Sequence, residues 1–547
     1  MMIYRRLVLT LVFLPLVAWG QNLDPRLMQM RLSETWPTFN GDYSGKRFNA
    51  LIQINRATVK NLRLAWTYRL NTGDGPAVRT GGEGPLPAAG TAVDPTARVV
   101  KASPLIVSGV LYFSTPDHVW AVDAHDGHEL WHFSWHTLGG VHVGNRGVGI
   151  YGAWLYFATP DGYLVSLDAK TGRERWHKKI VDFKRGYYLS VAPVVVGNHV
   201  LVGTSGDLLD LPGFIESRSP STGELQWRWF SEPVKKGDPG SDTWPDQNAM
   251  RHGGGMAWMP GTYDPALKLY YVGIGNPNPV MSGVSRKGTD LFTCSIVALN
   301  IETGKLTWYF QASPHDTHDW DSVQTPVLID GEIDGRPRKL VAQADRNGYF
   351  FLLDRATGKN IVSEPYLETM NWSKGVDKNG SPIYDPEKEP SVAGTLVSPP
   401  AGGATNWFAP SYSPQTGLFY VNTFNSYSVF YLTDTDPQPE GYAAIQRKVE
   451  GGDSSLRALD YKTGKTVWRH DYPRNGGVSG VLSTAGKLVF SGDGSHNLIA
   501  FDAENGKILW HAELAASVTN GPETYMVDGK QYLIAGAQDT LYAYTLP

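Results

Sequence analysis

One repeated motif limits the folds open to this chain more than any other feature. In most copies an apolar residue precedes Asp or Asn, then a Thr-Gly pair or its equivalent, then Trp. The shortest intervals between copies are 45 residues (Trp131 to Trp176) and 42 residues (Trp468 to Trp510). Repeats of this period with four short strands each are typical of β-propeller blades. Six copies end in Trp, and a seventh around Gly358 lacks it: Trp131, Trp176, Trp227, Trp308, Trp468 and Trp510.

Each part of the motif has a physical role in a blade. Alternating apolar residues such as Leu111 and Phe113, or Val119 and Ala121, predict strands that pack between blades. The Asp caps a tight turn, and the Gly adopts the positive φ that the turn needs. The Trp then covers the neighbouring blade. Because an isolated blade cannot bury both of its faces, the repeats must close into a ring.

The two ends of the chain predict how the ring closes. The C-terminal TLYAYTLP has the first half of the motif, and Trp66 in NLRLAWTY supplies the second half. We therefore predict an all-β, eight-bladed β-propeller with four-stranded blades, whose closing blade is shared between the N- and C-terminal segments. A seven-bladed ring with loose termini is the alternative. The Pro/Gly/Ser-rich stretches 232–256 and 364–402 predict long functional loops on one face.

The first residues have the pattern of an export signal. Arg5 and Arg6 precede an apolar run, Leu7 to Trp19, and Ala18 and Gly20 are small residues at a cleavage site. This run is too short to cross a bilayer, so we predict a signal peptide over residues 1–20 and a single propeller domain over residues 21–547. The mature protein would then be periplasmic or secreted, with no integral membrane segment. An uncleaved membrane anchor is the alternative.

Composition excludes several classes of function. Charged residues make up 19% of the chain, aromatic residues 12%, and the net charge is −4, which exclude a disordered chain and leave no electrostatic basis for binding nucleic acid. Cys294 is the only cysteine, so the chain forms no internal disulfide and has no C-x-x-C-H motif for a c-type haem. Any redox cofactor would be non-covalent.

Seven segments in order are similar to those of the PQQ (pyrroloquinoline quinone)-dependent alcohol dehydrogenases, the quinoproteins. The resemblance spans nearly the whole mature chain, and its ordered set of motifs is far more specific than the repeat, which other propellers share. The segments are WPTFNGDYSGKRFNALIQINRATVKNLRLAWTY, GNRG with Arg146, GGGMAW ending at Trp258, GNPNP with Asn276, PHDTHDWD ending at Asp321, DRNG with Arg346, and GATNW ending at Trp407.

The resemblance implies a site for PQQ, a planar tricarboxylate that needs cations and a flat apolar surface. Arg146 would bind a carboxylate, because a guanidinium matches it bidentately. Trp258 would be the stacking surface, although the repeat alone permits an ordinary inter-blade Trp here. Arg346 would donate to the reactive quinone oxygens. The remaining implied cofactor contacts are Ser190, Ser205, Gly206, Asn406 and Trp407.

The resemblance also implies a metal and a catalytic base. Asn276 matches the amide metal ligand, although N-P dipeptides also favour turns. Asp319 matches both a metal ligand and the catalytic carboxylate, which takes the proton of the substrate hydroxyl. Asp321 would face the same side as Asp319 if the stretch is extended. This extra acid accompanies lanthanide use in some members, so the metal would be Ca²⁺ or a lanthanide. A solvated acidic loop is the alternative for PHDTHDWD.

This sequence departs from the family pattern at three places. Gly140 and Val141 stand where many members have a vicinal cysteine pair, and the nearby His142 could pack on the quinone or belong to a loop. Leu208 stands at the metal-ligand Glu, for which Asp207 is our candidate substitute and Asp210 a second one. Lys101 stands at another family Glu, where its charge would change the field at the quinone and could pair with a PQQ carboxylate.

We therefore predict a periplasmic PQQ-dependent dehydrogenase that oxidises an alcohol, polyol or sugar by hydride transfer to a metal-polarised quinone. Without a haem motif, its electron acceptor would be a separate partner, a cytochrome or the quinone pool. The alternative is a degenerate, non-catalytic propeller that binds a ligand or a protein partner. A scaffold for outer-membrane protein assembly shares the repeat but does not explain Asn276 or PHDTHDWD.

Overall fold

The computed structural model describes residues 25–30, 32–70, 99–139, 144–206, 211–449, 451–473 and 479–547. Within these ranges the chain is built almost entirely from four-stranded antiparallel sheets, each formed by consecutive strands that follow the sequence repeat. The predicted signal peptide, residues 1–20, lies outside the described residues. None of the helices in the described ranges has the length and apolar character of a membrane span.

Four of these sheets, blades 1 to 4, lie in the N-terminal half. Blade 1 consists of Leu105–Val107, Val110–Thr115, His118–Asp123 and Glu129–Ser134. Blade 2 consists of Gly149–Tyr151, Trp154–Ala158, Tyr163–Asp168 and Glu174–Lys179. Blade 3 consists of Val194–Val196, His199–Gly203, Phe214–Arg218 and Leu225–Phe230. Blade 4 consists of Thr262–Asp264, Leu269–Gly273, Ser295–Asn300 and Leu306–Gln311.

Three more sheets, blades 5 to 7, follow in the C-terminal half. Blade 5 consists of Val327–Ile333, Arg336–Ala344, Tyr349–Asp354 and Asn360–Pro365. Blade 6 consists of Ser411–Ser413, Leu418–Asn425, Asp453–Asp460 and Thr466–Asp471. Blade 7 consists of Leu482–Thr484, Leu488–Gly492, Asn497–Asp502 and Ile508–Glu513, with Phe48–Asn49 added in parallel to its first strand.

Blade 8 joins the two ends of the chain as the sequence predicts. The N-terminal strand Arg63–Arg69 pairs antiparallel with Thr540–Thr545, and Trp66 lies opposite Ala543. The inner strands of this blade are Glu523–Val527 and Lys530–Ala537. Main-chain hydrogen bonds therefore close the ring without a disulfide, and neither end of the described propeller is loose.

The repeat tryptophans pack on the turn glycines of the next blade. A Cβ atom on each of these glycines would lie 2.4 to 2.7 Å from the indole, and every turn glycine has a positive φ. Only glycine therefore fits both the turn and the Trp above it. Trp510 instead contacts the ring of Tyr544 in blade 8 at 5.3 Å. The Trp–Gly pairs are Trp66–Gly127, Trp131–Gly172, Trp176–Gly223, Trp227–Gly304, Trp308–Gly358 and Trp468–Gly506.

The second and third strands of the blades are buried on both faces rather than on one. All six residues of Val110–Thr115 are buried. Leu111 and Phe113 pack in a cluster with blade 8, whereas Val110 and Tyr112 pack in another with blade 2. A blade between two neighbours has no solvent face, so apolar residues occupy both sides of this strand, as packing between blades requires.

The segment 36–49 crosses the first strands of the blades. Its main chain bonds to Ile106 in blade 1, Tyr263 in blade 4, Leu328 in blade 5, Tyr412 in blade 6 and Ser483 in blade 7. The Tyr43 hydroxyl donates to the Val195 carbonyl of blade 3, and the Asn49 amide donates to the Thr524 carbonyl of blade 8. One short segment therefore ties seven blades together.

The two stretches predicted as long loops contain some regular structure of their own. Residues 232–256 include the α-helix Gln247–His252 and the short strand Gly253–Gly254, which pairs in parallel with Leu211–Pro212. Residues 364–402 include the hairpin Ser373–Val376 and Pro382–Tyr384. A three-stranded sheet, the canopy sheet, is built from Thr395–Val397, Ser428–Leu432 and Ala444–Lys448. The 3-10 helices are Pro25–Met28, Val59–Asn61, Phe183–Arg185, Ser241–Thr243 and Pro386–Lys388.

Candidate active site

Arg146 is buried between two indole rings just before blade 2. Arg146 is only 1% exposed to solvent. The guanidinium carbon lies 5.0 Å from the ring centroid of Trp258 and 4.7 Å from that of Trp407. Both distances are in the range of a cation–π contact. Trp258 therefore does not pack as the repeat tryptophans do on a turn glycine, and instead faces a buried cation.

The two predicted serines lie next to this arginine. The main-chain N–H of Arg146 donates to the main-chain carbonyl of Ser190 at 3.0 Å. The Ser190 and Ser205 hydroxyls are 3.1 Å apart and buried. Gly206 follows Ser205, and a Cβ on it would lie 3.4 Å from the Met256 methyl group. Folding thus brings hydroxyl groups, a guanidinium and two indole faces together from four parts of the chain.

A second cluster forms around Arg346. Its Nη1 donates to Asp321 Oδ2 at 2.7 Å, and its Nη2 lies 3.3 Å from Asp319 Oδ2. Its Nε donates to the Ala401 carbonyl at 2.9 Å. The other oxygen of Asp321 accepts a hydrogen bond from the Asn276 N–H at 2.7 Å. Four predicted residues therefore meet, and the guanidinium compensates the charge of both carboxylates.

The stretch that carries the acid pair is not extended, so the condition for both acids to share a strand face is not met, although both carboxylates contact Arg346. Asp319 has a left-handed φ of +67°. The Trp320 N–H donates to Asp316 Oδ2 at 3.1 Å, and its indole N–H donates to the Pro400 carbonyl at 3.0 Å. Because Trp320 and Asp316 are buried, the segment is not a solvated acidic loop.

The two carboxylates differ in their access to solvent. The side chain of Asp319 is 14% exposed, whereas that of Asp321 is 3% exposed. Burial raises the pKa of Asp321, and Arg346, the Asn276 N–H and the indole of Trp258 act against this rise. Asp319 is therefore the acid that an incoming molecule can reach, while Asp321 is held from several sides.

Trp258 and Trp407 connect the two clusters. The Trp258 ring contacts the Arg146 guanidinium, and the Trp258 indole also lowers the pKa of Asp321 against the effect of burial. The Trp407 N–H is bonded to Asn406 Oδ1 at 2.7 Å, and the Asn406 amide donates to the Gly402 carbonyl at 2.9 Å. A Cβ on Gly403 would lie 2.1 Å from Arg346 Cγ, so the loop carrying these residues fits closely over the arginine.

A cavity of about 600 Å³ adjoins this loop. Gly403, Asn406 and Trp407 belong to its wall, and Lys101 does as well. A Cβ on Gly144 would lie 3.5 Å from the Lys101 ammonium nitrogen. Lys101 therefore lies against the loop that carries Arg146. The described wall further includes Val99, Pro400, Gly402, Phe408, Phe424, Ser426, Ser428, Gln446, Lys448 and Thr519.

Six residues singled out from the sequence for the site lie outside the described part of the chain. They are Gly140, Val141, His142, Asp207, Leu208 and Asp210. Asp207 therefore stays a prediction. Cys294, which is distant from the site motifs in sequence, is close in space: its N–H donates to the carbonyl of Gly275, the residue before Asn276. Its thiol is buried, and burial raises its pKa.

Sequence reasoning missed several residues that support the acid pair. Gly275 is one, because a Cβ there would lie 2.5 Å from Asp321 Oδ1. Gln324 is another, since its side-chain amide oxygen accepts a hydrogen bond from the main-chain N–H of Arg346 at 3.2 Å. Burial raises the pKa of Asp316 to about 6 and that of Asp345 to about 7. Gly275, Asp316 and Asp345 belong to the GNPNP, PHDTHDWD and DRNG motifs, so the sequence pointed to them, whereas Gln324 lies outside every motif.

Two family models match parts of this chain. The family model described as "Glucose/ethanol/alcohol dehydrogenase, beta-propeller domain" matches residues 36–365. A model described as "Outer membrane protein assembly factor BamB" matches residues 452–546, which is a minority of the chain and consists of repeat blades. The first match covers all the site motifs up to Arg346.

Similar proteins include the quinoprotein alcohol dehydrogenase PedH of Pseudomonas putida, at 34% identity over 89% of this chain and 83% of that protein. The quinohemoprotein alcohol dehydrogenase of Comamonas testosteroni is 34% identical over 94% of this chain and 74% of that protein. The crystal structure of a quinohemoprotein alcohol dehydrogenase from Comamonas testosteroni superimposes with a TM-score of 0.85, covering 96% of this chain and 83% of that one at 30% identity. A europium-containing methanol dehydrogenase superimposes with a TM-score of 0.82, covering 95% and 99% at 27% identity.

Proposed function

This chain belongs to the PQQ-dependent (quinoprotein) alcohol dehydrogenase family and is an oxidoreductase, and we propose that it oxidises an alcohol, polyol or sugar with PQQ and a bound metal ion. The observation that carries the proposal is the contact of Arg346 with both Asp319 and Asp321, close to the buried Arg146 and its two indoles. A degenerate, non-catalytic propeller is not favoured, because it gives no reason to bury these charges together.

The donor set fits a flat anionic quinone. Trp258 and Trp407 offer planar apolar faces, and Arg146 between them offers a guanidinium suited to a carboxylate. Ser190 and Ser205 add buried hydroxyls within reach of the same place. We propose that these residues hold PQQ, with Gly206, Asn406 and Arg346 at its edges. Lys101 would bind a second carboxylate, which suits its departure from the family Glu.

Oxygen ligands for a hard metal ion are also present. We assign the amide of Asn276 and the carboxylates of Asp319 and Asp321, with Asp207 as a further ligand. Ca²⁺ and lanthanides prefer such oxygen sets, and the second acid favours the ion of higher charge. When bound, PQQ serves as the hydride acceptor and the metal ion polarises its reactive carbonyl.

The chain's own residues would divide the remaining work. Asp319 accepts the proton of the substrate hydroxyl, because it is the more exposed carboxylate of the pair. Arg346 orients Asp319 and Asp321 through separate nitrogens of one guanidinium. The loop with Gly403, Asn406 and Trp407 covers Arg346 and limits the access of water.

Reconstitution tests this function directly. The purified apoprotein is mixed with PQQ and either Ca²⁺ or a light lanthanide, and quinone absorbance and dye-linked oxidation of alcohols and sugars are recorded. We expect an absorbance change and turnover with at least one metal. No change in absorbance with either metal would overturn the proposal.

We further propose that the protein works in the periplasm and passes electrons to a separate cytochrome or to the quinone pool. The signal pattern in residues 1–20 and the absence of a haem-attachment motif from this sequence support these two points. Cell fractionation of the expressed full-length protein checks the location, and N-terminal sequencing of the recovered product checks cleavage after Gly20. Recovery in the cytoplasm with residues 1–20 intact would contradict it.

A further inference from the structure

The cavity beside Asn406 and Trp407 combines aromatic walls with ammonium groups. Trp407, Phe408 and Phe424 supply ring surfaces, and Val99 and Pro400 add further apolar surface. The charged residues of the described lining are two lysines, Lys101 and Lys448, and the described lining contains no Asp or Glu. A neutral alcohol uses the rings but gains nothing from the positive charge.

Lys448 is positioned by the canopy sheet. It ends the strand Ala444–Lys448, in which Gln446 and Lys448 line the cavity. Residues two apart in a strand share a face, so the intervening Arg447 points to the other side. Both Lys448 and Arg447 are exposed. Lys448 is therefore a cation on the cavity wall, with an arginine neighbour that serves as a matched control.

Two hydrogen bonds link this strand to the catalytic cluster. Gln446 accepts the Ala401 N–H at 2.9 Å, and the Ala401 carbonyl accepts Arg346 Nε at 2.9 Å. Lys448 lies two residues beyond Gln446, about 7 Å along the strand. The backbone from which the Lys448 side chain extends is thus fixed relative to Arg346 and its partner Asp319.

We propose that the substrate is an alcohol whose aromatic body carries a carboxylate, and that Lys448 binds this carboxylate. The inference rests on the proposed oxidation of alcohols at Asp319. With PQQ bound, the quinone would supply the acceptor for the hydride of the hydroxymethyl carbon, and Asp319 would accept the proton of its hydroxyl group. The product is an aldehyde whose carboxylate is unchanged. A cation on an apolar wall favours an anionic partner over its neutral isostere.

Turnover with a matched pair of alcohols tests the assignment. The reconstituted enzyme is assayed with 4-(hydroxymethyl)benzoate and with 4-methylbenzyl alcohol. We expect the carboxylated alcohol to have the higher kcat/KM, by about fivefold, since an ion pair with an exposed lysine contributes up to about 1 kcal/mol. Lys448→Gln should remove most of this preference through KM, whereas Arg447→Gln should keep it. Equal kcat/KM values in the wild type, or an equal loss on both alcohols in Lys448→Gln, would overturn the inference and leave alcohol oxidation intact.

Binding of an unreactive ligand separates the two proposals. Calorimetry on the PQQ- and metal-loaded protein compares the binding of 4-methylbenzoate with that of 4-methylbenzamide. We expect the wild type and Arg447→Gln to bind the benzoate more tightly than the amide, and Lys448→Gln to bind the benzoate more weakly than the wild type does. If no alcohol is oxidised but the benzoate binds selectively, the cavity assignment holds and the proposed oxidation fails. If the benzoate and the amide bind equally, the assignment of Lys448 is wrong whatever the turnover.

Discussion

At the scale of single residues, Arg346 organises the candidate site. One guanidinium reaches Asp319 and Asp321 with different nitrogens and a backbone carbonyl with a third. Two carboxylates this close repel each other unless a cation or a proton intervenes. Arg346 supplies that cation in the protein alone, and a metal ion would add to it. The more exposed acid is then available for chemistry.

Asp319→Asn tests the division of roles between the acids. The amide has nearly the same shape but accepts no proton, so we expect turnover to fall by about 100-fold or more, the usual contribution of a general base. PQQ absorbance should be unchanged. Stopped-flow turnover and absorbance titration measure the two effects. Turnover equal to that of the wild type would refute Asp319 as the base.

Asp321→Asn tests the choice of metal. Removing one negative charge weakens the binding of a trivalent ion more than the binding of a divalent one. The ratio of lanthanide-supported to Ca²⁺-supported activity should therefore fall by about tenfold, which corresponds to about 1.4 kcal/mol. Activity of each form is measured across metal concentrations. An unchanged ratio, or a wild type in which Ca²⁺ fully replaces the lanthanide, would contradict the role given to Asp321.

At the scale of elements, the Trp–Gly contact makes a blade dependent on its neighbour. Gly172 in blade 2 has a φ of +69°, and a Cβ on it would lie 2.6 Å from Trp131 of blade 1. The indole N–H of Trp131 also donates to the Ala169 carbonyl in the same turn at 3.1 Å. Each turn is therefore both a local structure and a docking surface for the preceding Trp.

Gly172→Ala and Gly152→Ala separate these two roles. Both glycines have a positive φ in blade 2, but a Cβ on Gly152 has no atom within 4 Å. We expect Gly152→Ala to lower the free energy of unfolding by about 1 kcal/mol from backbone strain. Gly172→Ala should lower it by a further 1–3 kcal/mol or so, because the indole must move. Urea unfolding measures the difference, and equal losses would show that the contact with Trp131 adds nothing.

At the scale of the whole molecule, closure depends on segments distant in sequence. Arg47, in the segment that crosses the blades, is fully buried and donates to the Val481 and Pro522 carbonyls. Its nearest carboxylate, Glu523 at 3.8 Å, begins the inner strand Glu523–Val527 of blade 8. Burial raises the pKa of Glu523 to about 8, and Arg47 acts against this rise. The folded protein therefore binds this proton more tightly than the unfolded chain does.

This pair predicts a direction of pH dependence. A carboxyl with a raised pKa in the folded state stabilises the fold at low pH, and the contribution is lost as pH rises from about 4.5 to about 8. Glu523→Gln should reduce the loss of stability over this interval by about 1–3 kcal/mol. Thermal unfolding of both proteins at pH 5 and pH 8.5 measures this effect. Parallel pH profiles would show that Glu523 does not titrate as described.

The sequence by itself determined the propeller. The motif fixes each turn through a glycine with positive φ and most blade contacts through a Trp, so period and closure follow from local chemistry. Trp66 and the C-terminal strand were recognisable as two halves of one repeat, and they pair as predicted. The motifs with Arg146, Asn276, Asp321 and Arg346 were also recognisable, because a resemblance preserves residue types in order.

Only the tertiary structure decided how those residues meet. The left-handed conformation of Asp319 and the nearness of Cys294 to Asn276 arise in loops next to blade 4 whose course the motifs do not encode. The enclosure of Arg146 by Trp258 and Trp407 depends on loops from different blades. The same holds for the canopy sheet, which places Lys448 on the cavity wall. A local pattern encodes strands and turns, whereas the site is made where loops from several blades converge, and those distances follow from closure of the whole ring.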